Sequence, residues 1–497
     1  MKNILTAMLI AIVRVSCSKD FLKEELRGQL ITEGFGKNEA ELNIAITALY
    51  NLLTTIGYGE YLTGLFCRAD DLTTRAGSNK EHLRDFNMFF ASKDKNEYNN
   101  EIWRSLYEIA NSANFVINNY QLATETSQTV RDNAAGQAHC LRAFAYFMLT
   151  RLYMDIPMVT TNIVDKNIKK TSTADIYNLI VEDLKKAEKM LPDKWASGKE
   201  VGVAVTKRIA KSLLASTYLH MAGFPLMDIS KYALAAQIAK EVLDSAGTYV
   251  YSLLPKCQDL WLDMQRNDEL ILGIFYSHSA GSPNFRAPMM GKSEDEGGWD
   301  EYFTEINFFN RFPDGPRKDA TFKTKMKTPD GINLTWEQTV QKHPYYNKMT
   351  YANGSNPINY YDNYQDPYYF SFNSNRTTVL LRFAEVKLIY AEEQAMSANL
   401  DAAAYQQIND VRMRAGLPNL IPGLSQSAFR DSVVAERAWE FAGPENGQRW
   451  FDLVRLEMVE SANSNRHINE LPLQRNPTKQ DYFAPIPFRE KLLNPNL

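Results

Sequence analysis

Cysteine is scarce. Cys17, Cys67, Cys140 and Cys257 are all there is in 497 residues. That excludes a disulfide-stapled scaffold, and no pair has the Cys-x-x-Cys spacing of a thiolate zinc site. Spacing leaves open whether Cys67 and Cys257 pair. Cys140, in Ala138-His139-Cys140-Leu141, reads as a buried structural thiol. An excess of one charge is also lacking: 55 Lys+Arg face 59 Asp+Glu, a net charge of -4. No nucleic-acid partner is expected from that balance. Long apolar runs are missing beyond the first residues, so no segment reads as spanning a bilayer.

Catalytic signatures are absent too. Gly57-Tyr58-Gly59 is followed by Gly64, the wrong spacing for a dinucleotide loop, and there is no Walker loop. The six histidines form no metalloprotease pair, and Ser277-His278-Ser279-Ala280-Gly281 departs from a nucleophile elbow at its first position. Asp70-Asp71 and Glu392-Glu393 are adjacent, whereas glycosidase carboxylates flank a bond from separate elements. Ser293-Glu294-Asp295-Glu296 has oxygen ligands of the kind calcium takes, but reads as a solvated acidic loop. No catalytic residue, metal or cofactor is expected.

The N-terminus is what a secretory leader looks like. Lys2 precedes the apolar run Ile4 to Val13, and Ser16 is a small residue before Cys17. Residues 1–16 read as a signal peptide and Cys17 as the lipidated first residue of the mature chain. Arg14 departs from the usual Leu of such a site. Residues 17–38 read as a tether.

Amphipathic helices follow. Leu42, Ile46, Leu49 and Leu53 mark one over Glu39 to Ile56. Further helices are predicted over Glu101–Leu122, Thr129–Asp155, Ala174–Met190, from Thr206 to near Gly223, and over Ile229–Ala246. Pro157 and Pro192 stop two of them. Such hairpins resemble degenerate tetratricopeptide repeats. The pattern returns over Phe383–Ser397, Ala402–Arg414 and Gln426–Phe441. The fold class is thus mostly α: a tetratricopeptide-like helical-repeat scaffold over 39–247 and C-terminal helices over 379–497. Between them, 248–378 reads as a loop-rich lobe with short strands and no core of its own, packed on the scaffold.

What is abundant is aromatic: 26 Tyr, 25 Phe and 7 Trp. Eight tyrosines fall within His343 to Phe370. A flat ring buries the apolar face of a sugar, while Asn, Asp and Arg bond its hydroxyls. Trp299, behind Gly297-Gly298, is the foremost candidate, with Tyr302, Trp336 and the pairs Tyr345-Tyr346 and Tyr360-Tyr361. Trp103, Trp439 and Trp450 lie on helical faces and read as core. Arg449, Asp452 and Arg455, at three-residue steps, read as structural.

Several blocks then carry a family resemblance. Cys17-Ser18-Lys19-Asp20-Phe21-Leu22, Trp103-x-x-x-Tyr107-x-Ile109-x-x-x-x-Asn114 and Leu141-Arg142-Ala143-Phe144-x-Tyr146-Phe147 occur in that order. Leu381-Arg382-Phe383-Ala384-Glu385-Val386, Asn409-x-Val411-Arg412-x-Arg414-Ala415-Gly416, Glu436-Arg437 and Arg449-Trp450-Phe451-Asp452-Leu453-Val454-Arg455 follow. Together these resemble SusD/RagB-type nutrient-binding lipoproteins of the Bacteroidetes. The resemblance implies a non-enzymatic glycan binder on the outer face of the outer membrane, held by a lipid on Cys17. Its partner would be a SusC-like TonB-dependent transporter that imports the glycan. It also nominates, by position alone, the loop from Arg68 to Phe90 (with Asp71 and Asn87), the segment before Trp103, and the Trp299 loop. Two other readings remain: a helical-repeat adaptor for protein or peptide, and a lipoprotein glycan hydrolase with separated carboxylates in the aromatic cleft. The sugar is not named by the sequence.

Overall fold

The computed structural model describes residues 37–497, except 58–59, 91–92, 164, 196–201, 250, 262–266, 278–283, 286, 351–375, 398–399, 444 and 446. Leader, Cys17 and all but the end of the tether therefore lie outside the described residues, as do Tyr360 and Tyr361.

Periodicity and caps explain the helices. In chain order they are α1 (Glu39–Gly57), α2 (Glu60–Phe66), α3 (Glu81–Asn87), α4 (Glu97–Asn119), α5 (Gln128–Tyr153), α6 (Thr173–Met190), α7 (Lys207–Ala222) and α8 (Lys231–Tyr249). Three side chains that precede helices satisfy a first-turn N–H. Asn96 accepts from Asn99, Ser127 from Val130, and Ser172 from Asp175. From α4 to α8 each helix packs on the next, the arrangement that short connections favour. Helix α5 is buried on every side from Ala134 to Tyr153, so it is the axis of the scaffold. A Cβ at Gly136 would meet Met190 and Leu191 at 2.9 Å, which shows how closely α5 approaches the end of α6. Arg142, buried on α5, gives Nε to Asp183 at 2.7 Å and Nη1 to Asn114 at 2.8 Å, linking α4, α5 and α6.

The middle of the chain is short pieces, as its composition implies. Helices α9 (Ile306–Arg311) and α10 (Pro316–Thr321) are two turns or less. Strands come in antiparallel pairs: β1 (Leu72–Thr73) with β5 (Phe303–Thr304), β6 (Phe322–Lys323) with β9 (Tyr345–Tyr346), and β7 (Lys325–Lys327) with β8 (Asn333–Thr335). The ribbon β2 (Ile156–Pro157) with β3 (Lys170–Thr171) closes the α5–α6 connection. Strand β4 (Leu270–Ile274) pairs with β10 (Thr378–Arg382), which runs into α11 (Phe383–Met396). The sequence boundary at 378 thus falls within a pairing that joins the lobe to the C-terminal part. Several lobe aromatics, including Tyr302, Phe308, Phe322 and Tyr346, belong to the large apolar core. Phe303, Met326 and Tyr345 form a small cluster apart.

Helices α12 (Ala402–Arg414), α13 (Gln426–Glu440), α14 (Gln448–Arg455), α15 (Val459–Asn463) and α16 (Phe488–Leu493) complete the chain. Buried ion pairs tie them to the lobe. Arg382 reaches Glu269 at 2.9 Å, Glu440 at 2.5 Å and Glu445 at 2.8 Å, while Arg317 binds Glu436 and Glu440. Arg437 and Arg455 both hold Asp452, and Arg455 also binds Glu392. Arg449, Asp452 and Arg455 are each in such a pair, as the sequence reading expected of structural residues. Burial alone would raise the Asp452 and Glu440 carboxyls. The facing guanidiniums win and hold both below the ordinary carboxylate range.

Candidate functional site

The Trp299 loop is built from its acidic turn outward. Ser293 and Glu296 cap a single turn reciprocally. Gly297 then takes φ +79°, the left-handed conformation glycine tolerates. At Gly298 a Cβ would sit 2.1 Å from the Lys292 carbonyl oxygen, so only glycine fits there. The two glycines close the turn tightly. Trp299 follows, half-buried, its ring stacked on Phe285 at 6.0 Å and 15°. Behind it Asp300 is fully buried; one oxygen accepts the Glu294 N–H at 3.0 Å and the Tyr345 hydroxyl. Burial pushes the Asp300 carboxyl up to about 6.

The other carboxylates of the turn have protein partners; Glu294 stays exposed, as a solvated acidic loop implies, and Glu296 corrects that expectation by being buried. Glu296 is buried against Lys323 at 2.6 Å. Glu294 pairs with Arg75 at 2.8 Å, and Asp295 accepts the Val340 N–H at 3.0 Å. Tertiary cations and amides that turn composition cannot reveal decide this. Further contacts bring two of the nominated segments together, along with the stretch that carries Trp336. The β1–β5 pairing, the Thr74 hydroxyl on the Glu301 carbonyl at 2.6 Å and the Lys80–Glu301 pair at 2.5 Å join the residue-70s segment to the Trp299 loop. The Val340 bond fastens the β7–β8 hairpin, with Trp336 beyond it, to the same turn. A half-buried indole is thus held rigidly beside exposed polar groups, the pairing of ring face and hydrogen bonds that a saccharide needs.

Several nominated residues are corrected to interior roles. Tyr302, Tyr345 and Tyr346 are 0% exposed. Tyr345 bonds Asp300, and Tyr346 gives its hydroxyl to the Asp71 carbonyl. Their strands are short, and the alternation that would have shown which face is buried needs more length. Arg68 is buried too, its guanidinium 4.1 Å from the Trp450 ring and bonded to the Asp481 carbonyl. Asp71 accepts the Gly443 N–H at 2.6 Å, and Asn87 gives its amide to the Cys67 carbonyl at 2.9 Å. Asn87 faces inward on α3, while Arg68 and Asp71, in the turns before β1, are held inward by the Asp481 carbonyl and the Gly443 N–H. Before Trp103, Lys93 is buried against Asp481 at 3.1 Å. Phe90 and Trp336 remain half-buried, the latter edge-on to Phe309 at 6.0 Å. Cys67, Cys140 and Cys257 are buried free thiols, so Cys67 and Cys257 do not pair.

The sequence reading missed a second aromatic site. Trp103 and Trp450 are core, but Trp439 is only half-buried. It lines a cavity of about 340 Å³ with Phe308, Arg311, Arg430 and Arg449. The one trace in sequence is the row Arg430, Val434, Ala438 at four-residue steps on α13.

Among the described residues no helix is long and apolar enough to cross a membrane, and no cluster of His, Cys, Asp and Glu is placed to hold a metal. The architecture is mostly helical, with a lobe of short strands and loops between the helical parts. A family model described as starch-binding, associating with outer membrane, matches residues 4–219, and the SusD family model matches 315–497. The chain belongs to the SusD/RagB family. It is 27% identical to SusD-like protein P2 of Formosa agariphila, over 99% of this chain and 98% of that one. A SusD superfamily protein from Parabacteroides distasonis superposes with TM-score 0.76 at 21% identity, covering 92% of this chain and 98% of the other. A structure described as a laminarin binding SusD-like protein superposes with TM-score 0.74, at the same identity and coverage. These likenesses bear out the mostly helical fold class.

Proposed function

We propose that this chain captures oligo- or polysaccharide at the cell surface and passes it to a SusC-like TonB-dependent transporter, without cleaving it. Membership of a family whose model is described as starch-binding and outer-membrane-associated supports this, as does a laminarin-binding neighbour of the same fold. The observation that carries it is Trp299: a large ring stacked on Phe285, half-open to solvent, on a loop that two glycines and two ion pairs hold still. Glu294, Asp295 and Asp300 around it are engaged by Arg75, Val340 and Tyr345, which favours binding over hydrolysis. Lipidation at Cys17 would place the chain on the outer membrane. Replacing Cys17 by Ala should release a soluble protein that takes up no labelled palmitate.

Trp299→Ala tests the binding reading. Loss of a stacking anchor is expected to cost about 2 kcal/mol, roughly thirtyfold in affinity. The melting temperature should change little, because the Ser293–Gly298 turn does not depend on the ring. Titration calorimetry over a panel of polysaccharides, with unfolding measured on the same variant, decides it. Unaltered affinity for every glycan the parent binds would remove Trp299 from the site. Cleaved oligosaccharide on prolonged incubation would replace capture by hydrolysis.

A further inference from the structure

The cavity between α9, α13 and α14 opens beside the large apolar core, to which its Phe308 and Ala438 belong, and is chemically distinct from the Trp299 surface. Trp439 and Phe308 provide aromatic walls, their ring centroids 5.4 Å apart, and Val434 adds an aliphatic one. Three guanidiniums line it. Arg449 gives Nε and Nη2 to the two oxygens of Asp70, at 2.7 and 2.8 Å. Arg311 binds the same Asp70 carboxylate while its side chain stays 41% exposed. One carboxylate therefore serves two guanidiniums. Among the described residues Arg430 pairs with its neighbour Asp431 alone. Among the described residues the lining thus holds three guanidiniums, with Asp70 and Asp431 as their bonded carboxylates, and one positive charge is left over. The adjacent carboxyl, Asp71, does not line the cavity. Burial and Asp70 push it up to about 7, so it is only partly charged at neutral pH. Asp452 is already bound by Arg437 and Arg455.

The volume, about 340 Å³, falls at the low end of the roughly 300–1,000 Å³ range of small-molecule sites. An aromatic wall suits the C–H face of a sugar ring. Guanidinium groups with donors to spare suit a planar carboxylate or a sulfate oxygen through charge-assisted bonds. We propose that the Trp439 cavity binds an acidic sugar unit, one bearing a carboxylate or a sulfate ester, as a second saccharide site. The proposal rests on the glycan-binding reading and adds to it a ligand charge.

The test is calorimetry with three probes of equal length: trigalacturonic acid, its methyl ester, and a sulfated galactose trisaccharide. The parent protein should bind the acid or the sulfated sugar at least tenfold more tightly than the ester. Which of the two is preferred identifies the anion. Arg430→Gln, at an exposed pair, and Arg311→Gln should each cost about tenfold for the charged probe and leave the ester unchanged. Trp439→Ala should weaken charged and uncharged probes alike. Raising NaCl to 0.5 M should narrow the gap between acid and ester. Affinity for the ester equal to that for both charged probes, or no loss in both arginine variants with melting unchanged, overturns the proposal. If polysaccharides bind through Trp299 while the charged probes show no preference, this proposal alone falls. If the parent binds no saccharide at all, the glycan-binding reading falls with it.

Discussion

The helical scaffold and the loop-rich lobe are held by different forces. In the scaffold, α4 to α8 stack through apolar faces, with Leu106, Leu141, Leu149 and Ile180 fully buried. Each of those contacts is non-directional and scales with area. The lobe has few long elements to present such faces. It is positioned by buried ions: Glu269 and Arg317 from its side, Arg382, Arg414, Glu436 and Glu440 from the C-terminal side. Buried pairs add little net stability over apolar packing, but they are costly to break singly and they fix geometry. That suits a segment whose task is to hold an aromatic loop in one place. The scaffold is therefore expected to depend less on pH and salt than the seam of the lobe, where the buried pairs are concentrated.

The largest effect should follow from breaking the seam. Arg382→Met leaves Glu269, Glu440 and Glu445 around an uncharged side chain, and a loss of about 3–5 kcal/mol is expected in denaturant titration. The pH dependence should change with it. Glu440 has a depressed folded-state pKa, so its contribution is present above the unfolded value of about 4.3 and is lost as pH falls through the folded one. The parent should therefore lose stability on acidification below about pH 4, and Arg382→Met should lose less. Equal acid slopes in the two proteins would contradict an electrostatic seam.

A smaller and pH-indifferent loss is expected in the scaffold. Leu141→Ala on α5 creates a cavity in a fully buried site, costing about 2–4 kcal/mol, the same at pH 4 and pH 7. A loss that varied with pH would mean that the scaffold too depends on its buried ions, such as Arg142 with Asp183.

The smallest effect has the opposite sign. Asp71 keeps its proton up to about pH 7 in the folded chain but only to about 3.9 when unfolded. A raised carboxyl pKa makes the folded state less stable as pH rises from about 4 to about 7. Asp71→Asn keeps an acceptor for the Gly443 N–H and removes the charge. It should gain on the order of 1–2 kcal/mol at pH 8 and nothing at pH 4, read from melting curves at both. A variant no more stable at pH 8 would show that Asp71 is ionised at no cost.

Periodic apolar spacing and stop signals carry over directly from sequence to structure. The helix read over Glu39 to Ile56 is Glu39–Gly57, and that over Ala174 to Met190 is Thr173–Met190. Ordered blocks such as Arg449 to Arg455 likewise carry the family and the structural role of their charges, because a charge repeating beside Trp and Phe on a helix needs a buried partner. These are local properties, set by residues three or four apart. The site is not. Whether Trp299 opens to solvent while Tyr302, three residues on, is sealed depends on β1, from residues 72–73, pairing with β5, on Phe285 and on Lys323. Whether Trp439 is core or wall depends on where α9 lands across α13. In short strands and loops no period tells one face from the other, so only contacts between segments far apart in the chain could decide which aromatics face solvent.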